Sequence, residues 1–339
     1  MGQKHKTDVV IVGAGPVGLF AVFECGMVKL QCHVVDALDQ AGGQCTALYP
    51  EKPIYDIPGH PRIDAAALVE QLKLQAEPFK PVYHLNQQVE GLAQLEDGGW
   101  QVTTSLGTTI DCKAVIVAAG VGAFGPNRPP LAGIEQYEGR SVFYYVTRRE
   151  DFRDKRVVIA GGGDSAVDWA ISLAEVAKRV MVVHRRAKFR AAPESETRLK
   201  GLAEAGVIDL VVPYQLAGLQ GTDGKLDAVE VATLDGQKKA LAADALLPFF
   251  GLAMNLGPIT QWGLNLERNL VSVDPSNCAT NLPGVFAIGD IATYPGKLKL
   301  ILCGFSEAAM AAHAIYPLVH PDQALHFEYS TTSGVPQGQ

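Results

Sequence analysis

Two glycine-rich turns, each set between a β-branched run and a helical stretch, constrain this chain more than any other feature. The first is Gly13-Ala14-Gly15-Pro16-Val17-Gly18, directly after Val9 to Val12. The second is Gly161-Gly162-Gly163-Asp164-Ser165-Ala166, directly after Val157 to Ala160. A short β-branched run that ends in glycine reads as a buried parallel strand. Pro16 to Lys29 and Ser165 to Lys178 have helical length and composition. Cys32 to Asp36 and Val180 to Val183 return as strands, so each turn sits inside a βαβ unit. The spacing is the same in both: 23 positions from Gly13 to Asp36, and 23 from Gly161 to His184.

The chain beyond each unit also repeats. Gly91 to Leu95 and Trp100 to Ser105 read as hairpin strands around Asp97-Gly98-Gly99, and Ala114 to Ala119 is a buried strand ending at Gly120. In the second copy Asp223-Gly224 and Asp235-Gly236 mark the turns of a meander, and the strand Ala245 to Phe250 ends at Gly251. Two diverged dinucleotide-binding modules are the simplest reading. The expected fold class is α/β, with two Rossmann-like dinucleotide-binding domains of the three-layer ββα type, the second inserted in the first. Gly122 to Pro130, rich in Gly and Pro, supplies the first hinge, and Phe250 to Asn255 the second. The domains are then 1–123 plus 252–339, and 124–251; a chain of 339 residues has room for both.

The residue types inside the turns carry chemistry. Gly13 allows the tight turn, Gly15 lets a pyrophosphate approach the backbone, and Gly18 lets helix and strand pack closely. The helix that starts at Pro16 points its N-terminus at that charge. Asp36 ends the second strand, where a carboxylate accepts hydrogen bonds from ribose hydroxyls. In the second module, Gly161, Gly163, Asp164 and Ser165 form the turn, and the strand ends at His184-Arg185-Arg186, followed by Phe189-Arg190. Arginines in place of an acid suit a 2′-phosphate, which a carboxylate repels. The first module therefore suits the ADP half of FAD and the second suits NADP(H). His184 shapes the 2′-phosphate site rather than serving as an acid or base.

Other features set limits. Net charge is −7, which disfavours a nucleic-acid partner because phosphate tracking needs a basic excess. Cys25, Cys32, Cys45, Cys112, Cys278 and Cys303 include no Cys-x-x-Cys pair, and no histidine pair has metal spacing, so no metal site is expected. No apolar run reads as long enough to span a bilayer. Met1 to Lys6 reads as a short tail before a strand, and the expected location is cytoplasmic.

With these motifs in hand, the sequence resembles the thioredoxin reductase-like flavoproteins over essentially its whole length. The matching pieces are both fingerprints, Gly42-Gly43-Gln44, Phe189-Arg190-Ala191, and Val285-Phe286-Ala287-Ile288-Gly289-Asp290. Thioredoxin reductase carries a Cys-x-x-Cys just before the second fingerprint. The equivalent stretch here is Tyr144-Tyr145-Val146-Thr147, without a thiol. That departure is shared by a subgroup of this pyridine nucleotide-disulphide oxidoreductase scaffold, the thioredoxin reductase-like ferredoxin–NADP⁺ reductases. Leu48-Tyr49-Pro50-Glu51-Lys52, Lys297-Leu298-Lys299 and the extension Tyr329-Ser330-Thr331-Thr332 resemble that subgroup in detail.

The resemblance implies roles. Tyr49 stacks on one flavin face and Tyr329 covers the other. Asp290 contacts the ribityl chain. Gly43, Gln44, Val89, Phe124 and Thr331 are further FAD contacts. The implied reaction moves a hydride from NADPH to FAD N5, then passes two single electrons to ferredoxin, an acidic iron–sulfur protein. Lys52, Arg62, Lys297 and Lys299 are candidates for docking it. A homodimer is also implied. The same scaffold leaves open an NADPH-dependent diaphorase, quinone or flavodoxin reductase, and a non-catalytic redox sensor that binds FAD and NADPH. A remote dithiol would need two of the six cysteines to approach one another.

Overall fold

The computed structural model describes residues 3–325 and Gly334, with the backbone alone given at 123, 124 and 252–254. The chain divides into two compact units, Met1–Phe124 with Met254–Gln339, and Gly125–Ala253. The crossings fall one and two residues beyond the boundaries read from the sequence.

The first unit is built on a five-stranded parallel sheet. Its order is Val285–Ala287, Ala114–Val117, Val9–Val12, Cys32–Val35, Val82–His84. Every residue of Val9–Val12, Cys32–Val35 and Ala114–Val117 is buried, as a sheet covered on both faces requires. Alternation divides these side chains between two layers. Val9, Ile11 and Ile116 share an apolar cluster with Ala21 and Val22 of the helix Pro16–Met27 and with Ala308, Ala311 and Ile315 of the helix Ile301–Val319. Val10, Val12, Val115 and Val117 share another with Trp100, Val102 and Ile110. Those belong to the antiparallel meander Val89–Gln94, Trp100–Thr104, Thr109–Cys112. Meander, sheet and helices give the expected ββα layering.

One expectation fails here. The helix Ile301–Val319 is long and apolar enough, by length and composition, to cross a bilayer. Glu307 and His313 interrupt the run, so it does not stand out as a span in the sequence. In the fold Ala308, Ala311, Ala312 and Ile315 of this helix lie in the core.

The second unit repeats the plan. Four parallel strands run in the order Ile208–Val211, Arg179–Val183, Arg156–Ala160, Ala245–Pro248. The helices Asp164–Leu173 and Pro193–Glu204 come after the first two of these in sequence. An antiparallel meander of Gln215–Thr222, Lys225–Ala232 and Lys238–Ala242 shares a core with Val158, Ala160, Met181 and Val183 through Val229, Val231 and Leu241. Strand for strand this is the first sheet without its outer strand, Val285–Ala287. That strand comes from chain beyond the second unit, so the first sheet is completed only when the chain returns. The helix expected to reach Lys178 stops at Leu173. Beyond it, Asp154 N–H donates to Val176 O at 3.1 Å and Lys178 N–H to Lys155 O at 2.9 Å, and these long-range bonds draw the segment out of the helix.

A histidine cluster joins the edge of the first sheet to the strand Lys4–Lys6. His33 Nδ1 and His84 Nε2 lie 3.0 Å apart, and the His5 ring centroid stands 5.4 and 5.0 Å from the other two. A hydrogen bond between two ring nitrogens requires at least one neutral ring. Burial, then His84 and His5, lower the pKa of His33 from 6.5 to about 4. Neutral His33 therefore contributes stability above the unfolded value, and that contribution is lost as pH falls from about 6.5 towards 4. Urea denaturation at pH 7 and pH 4.5 should show the wild-type chain losing about 1–3 kcal/mol more than His33→Leu. Equal losses would remove the cluster as a source of acid sensitivity.

Candidate functional site

In the first unit, the carboxyl ends of the central strands open onto a cavity of about 310 Å³. That volume is at the lower end of the range of ligand sites. Gly13, Gly15, Pro16, Asp36, Gly43, Gln44, Tyr49, Val89 and Asp290 all line it. Gly18 lies behind the wall. The Tyr329 and Thr331 positions, and the side chain of Phe124, lie outside the described residues.

The glycine turn owes its shape to backbone crowding. Gly13 has φ +111°, and a Cβ there would lie 2.4 Å from Ala118 O. A Cβ at Gly18 would lie 2.0 Å from Gly13 O. By contrast a Cβ at Gly15 would meet nothing within 4 Å, so the backbone there borders open space in which a phosphate fits. The helix behind it begins with Pro16 and has no acid in its first turn, so its N–H groups and dipole meet an anion unopposed.

Asp36 is held by the same turn. Ala14 N–H donates to Oδ2 at 2.6 Å and Leu38 N–H to Oδ1 at 2.8 Å. Burial outweighs these bonds and raises its pKa. Each oxygen keeps a second lone pair for a ribose hydroxyl. Gln87, Gln88 and Leu38 continue this end of the cavity. At the other end stand Cys45, Tyr49, Asp290 and Ile301. Burial is the main cause that pushes the Tyr49 hydroxyl up, and it pushes the Cys45 thiol up to about 11. The two groups hydrogen-bond each other. This end offers a flat aromatic wall, one carboxylate and few charges. A slot with an acid at one end, a phosphate turn in the middle and an aromatic wall at the other fits FAD.

Several wall residues carry no expectation from the sequence. Gln87 and Gln88 leave no mark because they sit in an irregular segment before a strand. Gly120 and Gly122 had a signal, since a glycine ending a parallel strand sits at the ligand edge of such a sheet.

The expected docking residues separate. Lys52 Nζ lies 5.8 Å from the Tyr49 ring centroid, Arg62 pairs with Asp64 at 3.6 Å, and Lys299 is exposed. Lys297 does not belong with them. Its side chain is 4% exposed and pairs with the buried carboxylate of Glu307. It offers no charge to a docking partner.

In the second unit His184, Arg185, Arg186 and Arg190 stand beside the second glycine turn. Arg190 N–H donates to Gly162 O at 2.6 Å, and a Cβ at Gly162 would lie 2.4 Å from the His184 ring. The middle glycine is thus required by the histidine, a link the fingerprint alone does not reveal. The His184 ring also packs 5.3 Å from Phe189. Burial first, then Arg185, Arg190 and Arg186, lower the pKa of His184, which keeps it neutral at pH 7. The positive charge at this strand end comes from the arginines. Arg185 also borders a cavity of about 470 Å³ walled by Pro213, Tyr214 and Leu234. Gly161 is buried and Ser165 exposed. The Asp164 carboxylate accepts Ala192 N–H at 2.8 Å, fixing the start of the next helix, and Gly163 pairs with Arg190 as an isolated bridge.

All six cysteines are free. Cys25 and Cys32 do approach one another, and their hydrogen bond, with burial, pushes the Cys32 thiol well up. Both are buried in the helix-side core and neither lines the cavity. Cys45 does line it, but at pH 8 a thiol with a pKa of about 11 is only about one part in a thousand thiolate. Brief iodoacetamide treatment of the native protein at pH 8, read by peptide mass spectrometry, should leave Cys45 unlabelled. Rapid labelling there would mean that the wall is open and the thiol activated.

Residues 7–314 match the family model of the pyridine nucleotide-disulphide oxidoreductases. The chain is 68% identical to a ferredoxin–NADP reductase of Paramagnetospirillum magneticum over 335 residues, covering 99% of each chain. It is 64% identical to a ferredoxin–NADP reductase of Granulibacter bethesdensis over 331 residues, covering 97% of this chain and 94% of the other. Among solved structures, the thioredoxin reductase of Lactococcus lactis in its FR conformation matches with a TM-score of 0.80 at 25% identity, over 93% of this chain and 99% of that one. With a glycine turn between strand and helix in each unit and a family match that spans both, the chain belongs to the pyridine nucleotide-disulphide oxidoreductase family.

Proposed function

We propose that this chain is an FAD-dependent ferredoxin–NADP⁺ reductase, with FAD in the first unit and NADPH on the second. The observation that carries the reading is the pairing of an intact FAD-shaped cavity with no thiol pair on its wall. Electrons entering such a site have no disulfide to reduce and must leave for an external acceptor. Relatives at 64–68% identity that bear the name ferredoxin–NADP reductase support the same acceptor. The homodimer and an acidic iron–sulfur partner come with the resemblance, the cytoplasmic location comes from the reading of the N-terminal segment, and sedimentation tests the homodimer.

Little side-chain acid–base chemistry is required. FAD, when bound, supplies the exchange between a two-electron hydride donor and one-electron carriers. The protein binds, orients and shields. The Gly13–Gly18 turn and its helix take the pyrophosphate, Asp36 takes the ribose, and Tyr49 walls the ring end. Arg185, Arg186 and Arg190 take the 2′-phosphate, while neutral His184 buttresses the turn. Lys52, Arg62 and Lys299 remain the basic residues proposed to meet ferredoxin.

NADPH-driven cytochrome c reduction, run with and without a ferredoxin, tests the acceptor. Strong stimulation is expected. A fast rate on quinone or oxygen that ferredoxin does not raise would favour a diaphorase, and no bleaching of the flavin by NADPH would favour a sensor. Arg185→Ala/Arg186→Ala should abolish the preference for NADPH over NADH, a loss of about a hundredfold if each arginine makes one charge-assisted bond. A retained preference would sink the 2′-phosphate assignment.

A further inference from the structure

Glu307 is a buried acid that none of the steps above uses. It sits near the middle of the helix Ile301–Val319, and its carboxylate gathers three donors. Gly289 N–H donates to Oε2 at 2.7 Å. Tyr294 Oη donates to Oε1 at 2.6 Å, and Lys297 Nζ pairs with the same oxygen. The side chains of Lys297 and Glu307 are 4% and 3% exposed. A buried ion pair is a poor way to gain stability, because two charges lose their water and an apolar pair of similar size often does as well. What this one does is local. Gly289 and Asp290 form part of the cavity wall. One side of their turn is fixed when Ile288 N–H donates to Val117 O at 3.0 Å. The other side is fixed by the Glu307 carboxylate, which accepts the Gly289 N–H.

We infer that Glu307 is a positioning residue for the cofactor: its Oε2 holds the Gly289–Asp290 turn against the cavity so that Asp290 meets the bound FAD. Lys297 and Tyr294 orient the carboxylate through its other oxygen, Oε1. Lys297 supplies the counter-charge and Tyr294 an uncharged bond, so Oε2 is left to the Gly289 N–H. The surroundings agree: burial, then the Glu307 hydrogen bond and charge, push the Tyr294 hydroxyl up, and burial, then Glu307, push the Cys278 thiol up to about 12. The inference rests on FAD occupying this cavity.

Two double variants separate positioning from plain stability. Lys297→Met/Glu307→Gln removes both charges but keeps an oxygen for the Gly289 N–H. Lys297→Met/Glu307→Leu removes both charges and the acceptor. FAD release from each holoprotein is followed by the fluorescence of freed flavin on dilution, beside the thermal midpoint of the FAD-stripped full chain, which flavin affinity does not move. The Leu variant should bind FAD at least about tenfold more weakly than the Gln variant, with midpoints that stay close. Equal FAD release from the two, or weaker binding matched by a parallel fall in midpoint, would overturn the inference. If the Leu variant does not fold, Lys297→Met/Glu307→Met gives the same comparison with a more adaptable side chain. A wild-type chain that takes up no FAD would instead fail the cofactor reading on which the inference rests.

Discussion

The close approach of Gly13 O to Gly18 is the contact on which the first unit depends. No side chain fits between them, so the strand can turn at once into the helix Pro16–Met27. That turn points the helix N-terminus at the cavity and leaves the backbone of Gly15 bare for a phosphate. It also ties the acid into place, since Ala14 N–H inside the turn bonds Asp36 at the end of the next strand. In the second unit, Gly162 has no room for a side chain because the His184 ring lies against it. A crowded glycine turn, closed by backbone in one unit and by a histidine ring in the other, thus orders each of two sites of opposite charge preference.

Both sites show how charge is handled under burial. In the first unit Asp36 is answered by two backbone N–H groups and Glu307 by Gly289, Tyr294 and Lys297. Each buried charge has its own donors, as burial demands. In the second unit Arg185, Arg186 and Arg190 are exposed and available to meet a phosphate, while the histidine among them is held neutral. The difference fits a cofactor that stays and a substrate that comes and goes.

Much of this was legible in the sequence, for physical reasons that can be named. Glycines that crowd a strand–turn–helix cannot be replaced, so Gly13 to Gly18 and Gly161 to Ala166 stand out, and the 23-residue spacing to Asp36 and His184 comes from helix and strand lengths. β-Branched runs buried on both faces located the central strands within a residue or two. Other features were hidden. The Lys297–Glu307 pair joins a loop to a helix, and nothing local to either residue marks the other as its partner, so Lys297 kept the docking role that the resemblance implied. His5, His33 and His84 come from three strands far apart in sequence. Gln87 and Gln88 lie in irregular chain with no period to betray them.

Everything proposed for this chain turns on electrons leaving the flavin directly, without a redox-active disulfide between flavin and acceptor. Anaerobic reductive titration of the holoprotein decides the point by counting the electrons each chain takes up before free reductant accumulates. Two electrons per chain are expected, the capacity of one flavin. An uptake of four, with the appearance of two titratable thiols, would contradict direct transfer, since it would mean that a cysteine pair shares the electrons after all.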